Sequence, residues 1–331
     1  MKKQEINRFF NEISQKTCLV IGDLMVDSYR WGKVDRISPE APVPIISIDK
    51  KEDRLGGAAN VALNLNSLGA TPILCGVVGN DENGNKLKSL LTAEGLSDIG
   101  IVGSDKRKTT VKTRIISDGQ HMLRMDEEDL HQLSSTENDL VLNRIINILE
   151  NQGIDVIIFE DYDKGLLNET LIKEVVTKAK ELNIPTTVDP KKLNFDHYSN
   201  VTLFKPNRKE LLEGLKIDDV SHKNDYIKIC QDYISKNNIE MMLLTLSEDG
   251  VLITSIDNNH IDPAYRRDIS DVSGAGDTVI SVASLALACN LDIVLISSLA
   301  NLAGGLVCEK VGVVAIDKDN LHNEAIRLLI D

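Results

Sequence analysis

The sequence predicts an α/β fold of the doubly wound kind: a mostly parallel sheet flanked by helices, with a small antiparallel β lid. Three observations carry this. Short, nearly continuous apolar runs recur, each followed by polar or Gly-containing sequence, as in strands buried on both faces. Segments with helical periodicity lie between them. Two stretches, 28–54 and 109–126, break the rhythm by alternating apolar and polar residues.

In chain order, the strand runs are TCLVIG (17–22), TPILCGVVG (71–79), DVIIFE (155–160), TTVD (186–189), VTLF (201–204) and MMLLTL (241–246), the last leading to VLITS. The segments AANVALNLNSLG, NGNKLKSLLTAEG, NETLIKEVVTKAKELN and NDYIKICQDYISKNN read as helices, several ending in the Gly or Asn that stops them. Parallel strands made this way share one carboxyl edge, where such sheets hold ligands. The stretch 109–126 contains an Asp118-Gly119 turn signal, so both interruptions are expected as hairpins of a lid beside that edge. With no internal repeat or long linker, residues 1–331 form one domain plus this lid.

Composition narrows the function. At 331 residues and 42% hydrophobic content the chain can bury a large core. A formal net charge of -14, from 37 Lys plus Arg against 51 Asp plus Glu, argues against nucleic acid or an anionic membrane as partner. Any anionic ligand must be held locally. The five Cys (18, 75, 230, 289, 308) include no CxxC pair, which favours reduced thiols over disulfides or zinc. Neither a signal-peptide core in MKKQEINRFFNEISQK nor a run of about 18 apolar residues occurs, so a soluble cytoplasmic protein is expected.

Several strand ends carry candidate chemistry, each with a structural alternative. In GDLMVD, Asp23 and Asp27 can accept from sugar hydroxyls or cap a turn into the lid. Gly56 and Gly57 of GGAAN let the backbone approach a ligand and Asn60 can bond hydroxyls, or the pair packs a helix on the sheet. Lys164 in EDYDKG and Lys191 in DPKK either meet a substrate phosphate or are solvated. Asn207 and Glu210 have the spacing of a capping box, or stand near a nucleotide and its magnesium. Thr245, Ser247 and Gly250 in TLSEDG meet a nucleotide or form a turn.

The most informative stretch is DVSGAGDT, 271–278. It has close-set glycines but lacks the Lys of a P-loop. Gly274, Ala275 and Gly276 open a helix, so free N–H groups and the positive end of the dipole form an anion hole. Beside it, Asp277 is placed to take the proton of an attacking hydroxyl as general base. The alternative is an acid in a helix's first turn, stabilising it by about 0.3 to 1 kcal/mol.

GGAAN, NRKE and above all DVSGAGDT resemble the signature regions of the ribokinase-like (PfkB) carbohydrate kinases, in matching order across nearly the whole chain. RISPEAPVP and the DY-x-KG pattern are more narrowly similar to the branch that phosphorylates a heptose 7-phosphate. The resemblance implies transfer of the ATP γ-phosphoryl to the anomeric C1 hydroxyl of D-glycero-β-D-manno-heptose 7-phosphate. It gives Asp277 the part of base, Gly274, Ala275 and Gly276 the anion hole, and Asp27, Gly56, Gly57 and Asn60 the sugar. Asn207, Glu210, Thr245, Ser247, Gly250 and Asn301 fall on the nucleotide side, with Glu210 on Mg2+, through water, and Asp271 beside a monovalent cation such as K+.

The doubly charged substrate leads to Lys164, Lys191, Lys112, Arg114 and Arg124 as holders of its 7-phosphate, with Asp23 beside the sugar. Exposed lid strands suggest a homodimer that pairs lid with lid. Departures from the family pattern are Ser273 for Thr, Glu160 for Ser, Lys192 for Gly, Lys205 for Thr, and Val313-Val314 for small hydroxyl residues. The chain closes on the helical run EAIRLLID, so a stand-alone kinase is expected, without a nucleotidyltransferase half. Other readings are a ribokinase-like kinase of another sugar and a non-catalytic sugar sensor; intact GAGD with Asn207 and Glu210 argues against the sensor.

Overall fold

The computed structural model describes residues 2–218, 220 and 223–330. Among the described residues, thirteen strands form two sheets. The larger contains β1 (Thr17–Gly22), β4 (Thr71–Gly79), β5 (Gly100–Ser104), β8 (Val156–Glu160), β9 (Thr186–Asp189), β10 (Leu203–Phe204), β11 (Met241–Thr245), β12 (Val251–Thr254) and β13 (Asn259–Asp262). Their order is β13-β12-β11-β10-β9-β8-β1-β4-β5. Pairing is parallel from β5 through β11 and antiparallel for β12 and β13.

Alternate residues of β1 explain its continuous apolar sequence. Cys18 and Val20 enter one core, with helices α1 (Lys2–Glu12), α2 (Ala58–Ser67), α3 (Glu82–Ala93), α8 (Ala275–Ala288), α9 (Ile293–Val307) and α10 (Lys318–Leu328). Leu19 and Ile21 enter the other, with α4 (Ser135–Asn151), α5 (Glu169–Glu181), α6 (Arg208–Leu215) and α7 (Lys223–Asn237). The sheet is thus covered on both faces. The segment MKKQEINRFFNEISQK becomes an amphipathic helix: Ile6, Phe9 and Phe10 are buried at helical spacing, and Phe10 lies 4.6 Å from the His322 ring of α10.

The small sheet joins two antiparallel hairpins, β2 (Leu24–Ile37) with β3 (Pro44–Gly57) and β6 (Thr110–Ser117) with β7 (Gln120–Glu127). Parallel pairing of β2 with β6 holds them side by side, in the order β3-β2-β6-β7. Asp118 and Gly119 turn the second hairpin with φ of 48° and 77°, the left-handed pair that a two-residue hairpin turn needs. The lid strands start closer to the main sheet than their sequence pattern indicated: Asp23 alone separates β1 from β2, and β3 runs on to Gly57. No helix among the described residues is long and apolar enough to cross a membrane. All five Cys are buried and free.

Candidate active site

The carboxyl ends of β1, β8, β9 and β10 meet the amino ends of α2 and α8 beneath the lid. Gly274 caps α8 with φ 79°, a left-handed conformation that the sequence supplies with the one residue free to adopt it. An added Cβ there would lie 3.0 Å from Asn60 Nδ2 and 3.3 Å from Val313 Cγ1. At Gly276 a Cβ would stand 3.5 Å from Asp189 Oδ2 and 3.7 Å from Lys205 Nζ. The start of α8 is therefore open toward an acid and an ammonium group.

Asp277, in the first turn, is buried with 4% exposure. Asn60 Nδ2 donates to its Oδ2 at 2.6 Å, and the Tyr162 hydroxyl donates to its Oδ1 at 2.8 Å. Burial pushes its carboxyl above the usual range, while these two bonds pull it back. The result is an oriented acceptor on a rigid helix. Tyr162, which sequence reasoning left unassigned, comes to Asp277 because the loop after β8 folds over Asp23.

The carboxylate of Asp23, expected beside the sugar, ties down the loop after β8. Backbone N–H groups of Tyr162, Lys164 and Leu166 donate to it at 2.9, 3.1 and 3.3 Å. Burial, with Asp161 nearby, pushes it up to about 6. Asp27 is also buried and forms an ion pair with Arg114 across the lid. Gly56 and Gly57 make room for these acids: a Cβ at Gly56 would come 2.3 Å from Asp27 Oδ2, and one at Gly57 2.5 Å from the Asp23 carbonyl.

The proposed phosphate holders separate. On the lid, Lys112 faces the Tyr162 ring at 6.0 Å and has no carboxylate in ion-pair reach among the described residues. Lys164 pairs with Glu128 at 2.9 Å. Arg124 lies on the exposed outer strand, opposite Arg114 in register and paired with Asp126 at 2.9 Å. Lys191 also faces the Tyr162 ring, at 5.2 Å, and is bonded to Glu210 and 3.6 Å from Asp189. Burial opposes its charge, but Asp189 and Glu210 raise it well above the ordinary lysine value.

A cavity of about 780 Å³ runs from Asp277 and Gly274, Ala275 and Gly276 past Lys191, Lys205, Asn207 and Glu210 to Thr245, Ser247, Gly250 and Asn301. The capping box and the pocket coexist here. Asn207 Oδ1 accepts from Glu210 N at 2.9 Å, and Glu210 Oε2 accepts from Asn207 N at 2.8 Å, while both residues line the cavity. Asn301 Nδ2 donates to the Pro263 carbonyl at 3.0 Å, tying α9 to the segment after β13. Asp271 accepts from Ser273 N and Gly312 N, each at 2.9 Å. Those bonds outweigh burial and hold its carboxyl below the ordinary value.

Sequence reasoning also missed Glu160, Asp189 and Lys205 as neighbours of Asp277. Lys205 is buried and pairs with Asp189 Oδ2 at 2.8 Å. The only advance signal was that each closes or follows a buried strand.

The family profile described as "pfkB family carbohydrate kinase" matches residues 15–320. "Bifunctional protein HldE" of Campylobacter jejuni subsp. jejuni serotype O:2 is 41% identical over 310 residues, 92% of this chain and 64% of the relative. Its counterpart in Geotalea uraniireducens is 35% identical over 326 residues, 98% of this chain and 66% of the relative. The chain thus spans just under two thirds of the length of these relatives. Two solved structures share the fold at low identity. Phosphofructokinase-2 from Escherichia coli, in complex with substrates and products, has a TM-score of 0.79 at 18% identity, covering 95% of this chain and all of that one (100%). Arabidopsis thaliana ribokinase, complexed with ribose and ATP, has a TM-score of 0.68 at 15% identity, covering 93% and 98%. Over residues 15–320, which include both lid hairpins and the GAGD segment, this chain belongs to the pfkB family of carbohydrate kinases.

Proposed function

We propose that the protein transfers the γ-phosphoryl group of ATP to the anomeric C1 hydroxyl of D-glycero-β-D-manno-heptose 7-phosphate, releasing ADP and the 1,7-bisphosphate. The observation that carries this is the position of Asp277. It is buried, oriented by Asn60 and Tyr162, and set between the 780 Å³ cavity and the lid. Support for the sugar comes from the two HldE relatives and from the cationic lid side at Lys112, Arg114 and Lys164.

In this reading the acceptor hydroxyl displaces one of the two donors on Asp277 and gives its proton to the freed oxygen. The C1 oxygen attacks the γ-phosphorus as the bond to the β-phosphate oxygen breaks, and ADP leaves. The N–H groups at the start of α8, with Lys205 and Lys191, face the equatorial oxygens, where the charge is spread. Carboxylate oxygen is a fitting donor for magnesium, and Glu210, with both oxygens already bonded, would hold the ion through water. When bound, Mg2+ neutralises the phosphate charge. Asp271, kept ionised by its backbone bonds, is the candidate wall of a K+ site.

Lid pairing between two copies belongs to the same proposal. All eight residues of β7 are exposed, with Leu123 at 54% and Met125 at 47%. Leu123→Asp would then give a monomer in sedimentation velocity; an unchanged species count would remove the lid as the interface. A coupled ADP-release panel of heptose 7-phosphate, ribose, fructose and fructose 6-phosphate tests the substrate. Turnover of ribose or fructose with none of heptose 7-phosphate would defeat the proposal.

A further inference from the structure

Glu160 closes β8 behind the base, fully buried, and among the described residues it alone has both carboxylate oxygens buried without a hydrogen-bond partner. Its register partner in the sheet is Asp189, whose Oδ1 also lacks a hydrogen bond. One oxygen from each, with one from Asp277, lies within 4.8 Å of the others. Glu160 cannot withdraw toward β1. An added Cβ on Gly22 would already meet the Glu160 carbonyl at 2.2 Å, its Cβ at 2.7 Å and Ala58 at 2.9 Å.

The charged and titratable groups around Glu160 are Asp189 from β9, Lys191 beyond it, Lys205 beyond β10, Asp277 from α8 and Tyr162 two residues along. On the side of β1 and α2, Gly22 and Ala58 pack against it, and neither titrates. Neither lysine forms an ion pair with Glu160: Lys205 is on Asp189 Oδ2 at 2.8 Å, and Lys191 is bonded to Glu210, with Asp189 Oδ1 farther off at 3.6 Å. Burial, reinforced by Asp189 and Asp277, pushes Glu160 well above the usual carboxylate range. Burial raises Asp189 too, but Lys191 and Lys205 outweigh it and hold that carboxyl below its ordinary value. Two facing carboxyl groups can bond each other only when one carries a proton.

We propose that Glu160 is a positioning residue: a neutral carboxylic acid whose O–H donates to Asp189 Oδ1, leaving Asp189 Oδ2 to hold the Lys205 ammonium at the anion hole. Asp277 alone takes the acceptor proton; the proton on Glu160 stays in place through turnover. Ionising Glu160 adds a negative charge beside Asp277 and the transferring phosphoryl group, so activity falls as pH rises. The consequence for turnover rests on the kinase reading above, whereas the protonation state does not.

The test compares wild type with Glu160→Gln, which keeps a donor of the same shape, and with Glu160→Ser, which is shorter. In pH profiles of kcat/KM for ATP, Glu160→Gln is expected to match wild type at neutral pH and to lack its alkaline fall. Glu160→Ser should lose roughly an order of magnitude or more through misplacement of Asp189 and Lys205. A tenfold loss for Glu160→Gln at neutral pH, an unchanged alkaline fall, or a higher Mg2+ requirement would each overturn the proposal, the last by making Glu160 a metal-binding anion. Infrared spectra without substrates supply an arm independent of activity. The band of a protonated carboxyl at neutral pH should be weaker in whichever variant folds, and equal intensity in wild type and variant would refute the proposal even if the kinase reading stood.

Discussion

Replacing Asp277 by Asn isolates the proton transfer. Asn60 and the Tyr162 hydroxyl hold the two carboxylate oxygens at 2.6 and 2.8 Å. An Asn side chain can keep both contacts, with its oxygen toward Asn60 Nδ2 and its NH2 toward the Tyr162 hydroxyl, which can also accept. The helix, anion hole and cavity should therefore survive. What is lost is the acceptor of the substrate proton, a term of about 10² to 10⁴ in rate, or about 3 to 5 kcal/mol in the barrier. Stability should move the other way. Burial holds Asp277 above its ordinary value, so the folded state binds this proton more tightly than the unfolded chain. That contribution is complete below the unfolded pKa and is lost as pH rises through the folded one. Asn suffers no such loss, so the variant should gain stability relative to wild type as pH rises. The assay is ADP release at saturating substrates, with ATP affinity measured separately by titration. A kcat equal to wild type, with normal ATP affinity, would refute the base assignment.

Three further outcomes follow from the geometry. Lys112→Ala should raise KM for the sugar phosphate by about tenfold to a hundredfold, the weight of one charge-assisted phosphate bond, and spare KM for ATP. Arg124→Ala, on an exposed residue already paired with Asp126, should change neither; equal effects of Lys112→Ala on both constants would discredit the lid as phosphate holder. Gly274→Ala forces a side chain into φ 79° against Asn60 and Val313, which should cost about 1 to 2 kcal/mol by thermal denaturation and reduce turnover through the Asn60 contact on Asp277. Glu137 closes the α4 capping box, where hydrogen bonds from Ser104 and Ser134 hold its carboxyl down to about 2. Its contribution is present above the unfolded pKa and lost as pH falls toward about 2, so Glu137→Gln should destabilise at neutral pH and match wild type in strong acid.

The main sheet was legible because its central strands are buried on both faces and so are apolar throughout. β5 was not, since Gly100 and Gly103 interrupt a short edge strand. The helix α9 was also missed: IVLISSLANLAGGLV is apolar nearly all round, and its period vanishes when the helix is buried. Site residues divide in a similar way. GAGD, the capping box and the lysines after strand ends are local patterns, and the structure places them in or beside one cleft. The role of Asp23 depends on a loop 139 residues away, from which Tyr162 donates to it, and no spacing rule reports that contact. Lys191 looked interchangeable with Lys164 in sequence. The structure gives them different partners, Glu128 for Lys164 and the capping acid Glu210 for Lys191.

The proposed reaction is phosphorylation of the anomeric hydroxyl of a sugar already phosphorylated at its far end. It is tested most directly by phosphorus and carbon NMR of the product formed from ATP and D-glycero-β-D-manno-heptose 7-phosphate. The expected products are ADP and a 1,7-bisphosphate with the new phosphate coupled to C1. A phosphate on any other carbon, or an untouched heptose beside readily phosphorylated fructose 6-phosphate, would contradict it.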